Sequence, residues 1–457
     1  MVEHTFDATM LSRIQFAFTV GFHILFPTLN IGLAIFISII EGMYLYTKKE
    51  VYAKALLFWM KLFALTFGMG LVSGIVMSYE LGTNFPHFTY KAGEILGVLF
   101  GYEVLSAFFL EAGFLGVMLF GWKKLPLRVH YFATIMVTLG IAVSAFWILS
   151  ANSWMQYPTG YEMVGDKMVD KDWWAIVFNP TFLPRFFHMT FASYVTSAFF
   201  IAGVSAYFIL RNKSVDVAKI CMSLVLWTVV ITVPIQILLG DKVGRDVYFY
   251  QPLKTAAIEG VWETQKGAPL LLFAVPDQEE QKNKYTISIP KLASLLNTHK
   301  LDGEIVGLDT VRREDQPKVA VVFYSFRIMV GIGVLMLVVM IWHLFLRYRG
   351  ALFTNRKFLK SLMFLAPLGF LATVMGWFTA EVGRQPWVIY NVLRTIDASA
   401  KIDPDYIFFT LTLMFIVYLT IFVFYLYYLF RMIKEGPSDN IEIIKHQNMF
   451  LKQGEED

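Results

Sequence analysis

Apolar residues gather into nine runs along the chain, near positions 12–46, 51–80, 93–121, 129–151, 186–210, 218–240, 320–346, 358–381 and 405–432. A hydrocarbon core of about 30 Å takes roughly 20 helical residues to cross, so each run predicts a transmembrane helix. The pattern predicts an all-α polytopic membrane protein. Helices 1–6 fall within 1–240, a long extramembrane loop spans 241–318, helices 7–9 fall within 319–435, and a solvated tail covers 436–457. Residues 1–8 are polar, and the apolar run after them is too long for a signal-peptide core, so it is expected to remain as an uncleaved first helix.

The short connections orient these spans. Lys48, Lys49 and Lys54 follow the first, Lys123, Lys124 and Arg128 the third, Arg211, Lys213 and Lys219 the fifth, and Arg347, Arg349, Arg356, Lys357 and Lys360 the seventh. All fall on one side, which the positive-inside rule makes cytoplasmic. The N-terminus and the 241–318 loop are then outside, with the C-terminus in the cytoplasm. A composition 57% hydrophobic and only 16% charged agrees with residence in the lipid bilayer. The net charge of +4 is dispersed over short loops, which argues against nucleic acid as a partner. The single Cys221 excludes internal disulfides, thiolate clusters and C-x-x-C-H haem attachment, so any metal must be held by His, Met or carboxylate.

Ionisable groups inside a span cost a few kcal/mol on insertion scales and need a partner or a purpose. His23 lies in the first span, and Glu103 and Glu111 lie in the third. For a lone histidine, a hydrogen-bonded core role comes before metal ligation. Two acids eight residues apart on a regular helix stand about 12 Å apart in rise and about 80° apart in azimuth. That suits successive stations of a proton path, or helix-to-helix hydrogen bonding. His188 in the fifth span and Met329 in the seventh could ligate a low-spin haem, although most of the 21 methionines must be packing. Arg327, beside Met329, asks for a fixed anion such as a haem propionate. Glu381 beside Arg384, at the end of the eighth span, is not explained by the interfacial tryptophans around it.

Taken in order, these residues resemble subunit I of the cytochrome bd-type quinol oxidases. The resemblance rests on Leu11-Ser12-Arg13-Ile14-Gln15-Phe16 leading to His23, Gly82-Thr83-Asn84, Glu103 with Phe108-Phe109-Leu110-Glu111, and Ala151-Asn152-Ser153-Trp154-Met155-Gln156. It continues through Phe187-His188, Lys254-Thr255-Ala256-Ala257-Ile258-Glu259, Trp262-Glu263-Thr264, Pro276-Asp277-Gln278-Glu279-Glu280, Phe326-Arg327-Ile328-Met329, and Gly376-Trp377 through Gly383-Arg384-Gln385-Pro386-Trp387. The resemblance implies two b haems and one d haem, with a b haem in place of d as the alternative at the third site. His188 and Met329 would be the axial ligands of the low-spin b haem. His23 would bind one high-spin haem and Glu381 the other, and which of the two binds oxygen is left open. Arg13, Arg327 and Arg384 would contact the haems, and Trp377 would lie between them. Glu103, Glu111 and Ser144 would line the proton route, while Lys254 and Glu259 would belong to the quinol site in the outer loop. A homologous membrane subunit II and often a single-helix accessory peptide complete such oxidases. The outer loop reaches the seventh span soon after Ile305-Val306-Gly307-Leu308, which fits the short-loop branch. Glu80 stands where many members carry Gln.

The expected activity is oxidation of quinol at the outer face and reduction of oxygen to water with cytoplasmic protons, generating a proton-motive force without a pump. Two rivals predict different chemistry: a membrane cytochrome b without an open high-spin site, and a haem-free ion transporter using Glu103 and Glu111.

Overall fold

The Asp7 side chain opens the first helix by accepting a hydrogen bond from the Met10 amide, which satisfies one donor of the first turn. The computed structural model describes residues 7–438, so the tail expected over 436–457 lies almost wholly outside the described residues. Helix α1 (Ala8–His23) and α2 (Leu25–Thr47) form the first span with only Ile24 between them. Pro27 accounts for the break, because it has no amide hydrogen to offer the His23 carbonyl four residues back. Helix α3 (Glu50–Asn84) returns. Helix α4 (Pro86–Tyr102) then passes through a wide π turn at Glu103–Phe108 into α5 (Phe109–Phe120), and α6 (Leu127–Gln156) completes the fourth span.

The hairpin of β1 (Tyr161–Val164) and β2 (Lys167–Asp170), with the short α7 (Trp173–Val177), leads into α8 (Phe182–Leu210). Helix α9 (Val215–Tyr250) continues past position 240, where the apolar run ends. The loop beyond it is a folded lobe of α10 (Pro252–Glu259), β3 (Gln265–Lys266), β4 (Leu270–Asp277), β5 (Lys282–Ile289), α11 (Leu292–Thr298) and β6 (Glu304–Ile305). Strand β3 pairs with β6 and β4 with β5, each antiparallel. At the β4 to β5 turn, Asp277 accepts from the Glu279 and Glu280 amides and from Lys284. The Lys284 hydrogen bond is the first cause that holds the Asp277 carboxyl down to about 2.

Helices α12 (Val319–Tyr348), α13 (Arg356–Leu365) with α14 (Leu368–Val382), and α16 (Pro404–Glu435) supply the last three spans. The ribbon of β7 (Trp387–Ile389) and β8 (Leu393–Arg394), together with α15 (Thr395–Ala398), connects the last two. The described residues thus contain nine helical segments long and apolar enough to cross a membrane, in alternating directions. The lobe lies at one end of the bundle, called here the loop end. The basic connections gather at the opposite end.

Lipid tails are as apolar as the side chains, so close helix approach rather than hydrophobic burial holds such a bundle together. Gly203 of α8 shows how close that approach is. A Cβ there would sit 2.6 Å from the Ala366 Cβ and 2.9 Å from the Leu362 carbonyl oxygen. The second obstacle is backbone and cannot rotate away. Gly203→Val is therefore expected to cost about 1–3 kcal/mol, read as a lower unfolding midpoint of the detergent-solubilised complex.

Candidate functional site at the loop end of the bundle

Three helices converge on Glu381 near the end of α14. Its Oε1 accepts from Asn152 Nδ2 and from Gln156 Nε2, each at 3.0 Å, and its Oε2 pairs with Arg384. A carboxylate offers about four acceptor positions, so one remains open. Gln156 then accepts from Lys254 Nζ at 2.6 Å, which links α10 of the lobe to α14 through α6. Lys254 threads past Gly383, where a Cβ would lie 2.7 Å from the lysine Cγ. Burial away from water, then the nearby Arg185 guanidinium, hold the Lys254 amine well below the ordinary lysine value. Arg185 also faces Glu381, and the further carboxylate near it, Asp246, is already paired with Lys242.

Charge within this cluster does not balance. Arg384 pairs directly with the single carboxylate of Glu381 and Arg185 faces it only at longer range, and the Nε and Nη1 of buried Arg384 have no partner. Buried donors left without an acceptor are costly, so these free N–H groups suit an anion. Arg327, for which the sequence asks a fixed anion, meets Glu259 Oε2 at 3.1 Å, the Leu271 carbonyl at 2.9 Å and the Ile258 carbonyl at 2.5 Å. Asn297 donates to the other oxygen of Glu259 at 2.9 Å. Five residues separate Lys254 from Glu259, so they leave the short helix α10 about 140° apart. Lys254 faces α6 and α14, whereas Glu259 faces α11 and α12.

Three of the four candidate iron ligands stand against a glycine, Glu381 being the exception. A Cβ on Gly74 would approach His23 Cε1 to 3.2 Å, one on Gly240 would approach His188 Cε1 to 3.3 Å, and one on Gly376 would lie 2.8 Å from Met329 Sδ. His23 Nδ1 is 3.0 Å from Ser73 Oγ, while His188 Nδ1 is buried without a partner and its Nε2 lies 3.4 Å from Gln236. The glycines let these side chains lie close against the facing helix backbones, and the buried, unpartnered Nδ1 of His188 suits an iron-bearing group. Trp377 follows Gly376 on α14, its ring 5.4 Å from that of Phe378. Arg13 is half-buried on α1 and makes no hydrogen bond among the described residues.

The two acids of the third span align differently from a regular helix. The π turn beginning at Glu103 inserts about one extra residue, so eight residues advance the angle of about seven and the 80° offset falls to about 20°. Both acids then meet α6. Ser144 donates to Glu103 Oε1 at 2.7 Å, and one turn earlier a Cβ on Gly140 would lie 2.6 Å from Glu111 Cγ. Toward the opposite end, buried His130 and Thr134 of α6 bind the two oxygens of Glu41 at 2.6 and 2.7 Å. His130, Thr134, Ser144, Asn152 and Gln156 occupy a stripe about 120° wide along α6.

Residues 11–437 match the family described as Cytochrome bd terminal oxidase subunit I. The chain belongs to that family. Cytochrome bd-II ubiquinol oxidase subunit 1 of Escherichia coli (strain K12) is 33% identical over 502 residues, covering 94% of this chain and 97% of that one. Cytochrome bd ubiquinol oxidase subunit 1 of Bacillus subtilis (strain 168) is 34% identical over 442 residues, covering 94% of each. The solved bd oxidase from Geobacillus thermodenitrificans superimposes with a TM-score of 0.87 at 28% identity, over 94% of this chain and 99% of that one. This chain is accordingly a multi-pass subunit I of a cytochrome bd quinol oxidase, a respiratory oxidoreductase. Membership implies haem cofactors and a subunit II partner.

Several partners escaped the reading of the sequence. Arg185, Asn297 and Ser73 carry no motif that marks them, and Glu41 with His130 lie 89 residues apart. Asn152 and Gln156 stand inside a quoted motif, but four-residue spacing on one helix says only that they share a face.

Proposed function

We propose that this subunit oxidises quinol at the loop end, outside the cell, and supplies protons for oxygen reduction from the cytoplasmic end. The N-terminus is then outside and the described end of α16 in the cytoplasm, in a bacterial plasma membrane. Residues 241–318 form the outer quinol loop, of the short-loop branch, between helices 1–6 of 1–240 and helices 7–9 of 319–435. The haem complement in this reading is two b haems and a third of d or b type, and the buried unpartnered Nδ1 of His188 supports a haem at that position. When bound, the haems supply one-electron transfer and the iron at which oxygen is reduced. His188 and Met329 would hold the low-spin haem. His23 and Glu381 would each serve a high-spin haem, and Arg13 and Arg384 would meet propionates, with Arg327 supporting the low-spin site through Glu259. Trp377 would fill the space between haems. A homologous subunit II, and a single-helix accessory peptide, would cover faces of the bundle.

The protein's own groups divide the proton work by end. Lys254, held toward its neutral form, can take a proton from a quinol hydroxyl, while Glu259 with Asn297 and Arg327 braces the lobe against α12. Protons released there stay outside. At the other end Glu111 and then Glu103, with Ser144 as a hydrogen-bond partner, hand protons toward the haems. Opposite sidedness separates charge without a pump.

The alignment of both acids on α6 carries this reading. Glu111→Gln is expected to slow quinol-driven oxygen consumption about 10²-fold, the scale of a lost general acid–base group, with haem content retained. Full turnover in that variant would overturn the route.

A further inference from the structure

Glu80 of α3 is buried at 2% exposure inside the bundle, yet it has no ion-pair partner among the described residues. Its Oε1 accepts from Thr19 Oγ1 at 2.8 Å, the Gln15 amide lies alongside, and its Oε2 has no partner. Thr19 is itself wholly buried and touches Met414 Sδ at 3.3 Å. The Tyr418 hydroxyl of α16 faces the same carboxyl and is also buried and unpartnered. Neutral donors thus surround a carboxyl that no cation balances.

The geometry relates this carboxyl to His23. Thr19 precedes His23 by one helical turn on α1, and Glu80 follows Ser73 by two turns on α3, so both pairs use the same faces. The hydrogen bonds Thr19 to Glu80 and His23 to Ser73 are successive rungs of one α1–α3 seam. Glu80 belongs to the rung nearer the loop end. Other ionisable groups turn elsewhere. Arg13 lies more than one turn further out on α1, and His87 and Lys91 of α4 line an outer cavity of about 280 Å³ with Asp166 and Asp397.

We propose that Glu80 is a redox-linked proton site of the haem held by His23. This rests on the His23 reading above. The ferric centre supplies the positive charge that the carboxylate otherwise lacks, and one-electron reduction removes it. The electron comes from quinol. The proton comes from the aqueous phase and forms one O–H bond on Glu80, and reoxidation returns both. Glu80 acts on the haem through the field and is a positioning residue rather than a catalytic one.

An ionised Glu80 favours the ferric state, so the potential of this haem falls as pH rises. Its contribution is limited to a tenfold change in equilibrium constant per pH unit, which is 59 mV for one electron. The test is mediated redox titration of the purified holo-complex across pH, comparing the wild type with Glu80→Gln at equal haem content. The potential of the variant is expected to exceed that of the wild type by an amount that grows with pH and vanishes in acid. A zero or pH-independent difference overturns the proposal. Thr19→Val provides a second variant: loss of its hydrogen bond to the carboxylate moves the onset of the pH dependence upward, and an unmoved onset counts against the proposal. His23→Ala separates the two readings. Retention of every haem signal there refutes the ligand assignment. The redox-difference infrared spectrum tests Glu80 by itself, through a protonated-carboxyl band that Glu80→Gln must remove and whose persistence refutes the proton site.

Discussion

Replacing His188 with alanine is expected to abolish the low-spin haem signal in the reduced-minus-oxidised spectrum and to lower quinol-driven oxygen consumption more than 100-fold. Groups that merely orient a metal ligand are worth about 10–100-fold, and the ligand itself exceeds them. The local structure explains why nothing can substitute. His188 Nδ1 is buried without a partner, and its ring packs over Gly240, the position on α9 where a side chain would intrude. Gln236, 3.4 Å from Nε2, is too distant for a firm hydrogen bond and leaves that nitrogen available. Met329→Leu is the informative companion, because it keeps the volume against Gly376 while removing the sulfur. It should convert the low-spin signal to high-spin with the polypeptide intact. An unchanged low-spin spectrum in both variants would remove these residues from the haem.

Glu381→Leu is expected to destabilise the complex by about 3–5 kcal/mol, the cost of breaking a buried ion pair from one side. The loss should appear as a lower unfolding midpoint and fewer haems per polypeptide. Arg384 and Arg185 would then face each other with no carboxylate between them, and Asn152, Gln156 and Lys254 would lose the acceptor that orders their chain. Adding Arg384→Leu should recover part of the midpoint, because it removes one stranded charge. If the double variant is no better than the single, the pair is not the main source of the loss. The same network ties the lobe to the membrane core, so the single variant should also weaken quinol oxidation at Lys254.

The nine spans and the class of the protein were legible in the sequence because lipid imposes a simple rule: each crossing needs an unbroken apolar helix of fixed length. The ordered motifs then brought the family, the haem-ligand candidates and the carboxylates into view. What they could not give was which side chain meets which. Arg327 looked like a haem-facing cation, but its hydrogen bonds in the structure go to Glu259 and to lobe carbonyls 56 to 69 residues away. Lys254 and Glu259 belong to one motif, and only the structure gives each its hydrogen-bond partner, Gln156 for the lysine and Asn297 for the glutamate. Glu103 and Glu111 were 80° apart on a regular helix, and only the π turn brings both to Ser144 and Gly140 of α6. By itself the sequence determined the membrane architecture and the inventory of chemical groups, since those depend on local composition and length. The tertiary structure decided the pairing of buried charges and the close approach of His23, His188 and Met329 to Gly74, Gly240 and Gly376. Those depend on contacts between helices far apart in the chain, which no local pattern encodes.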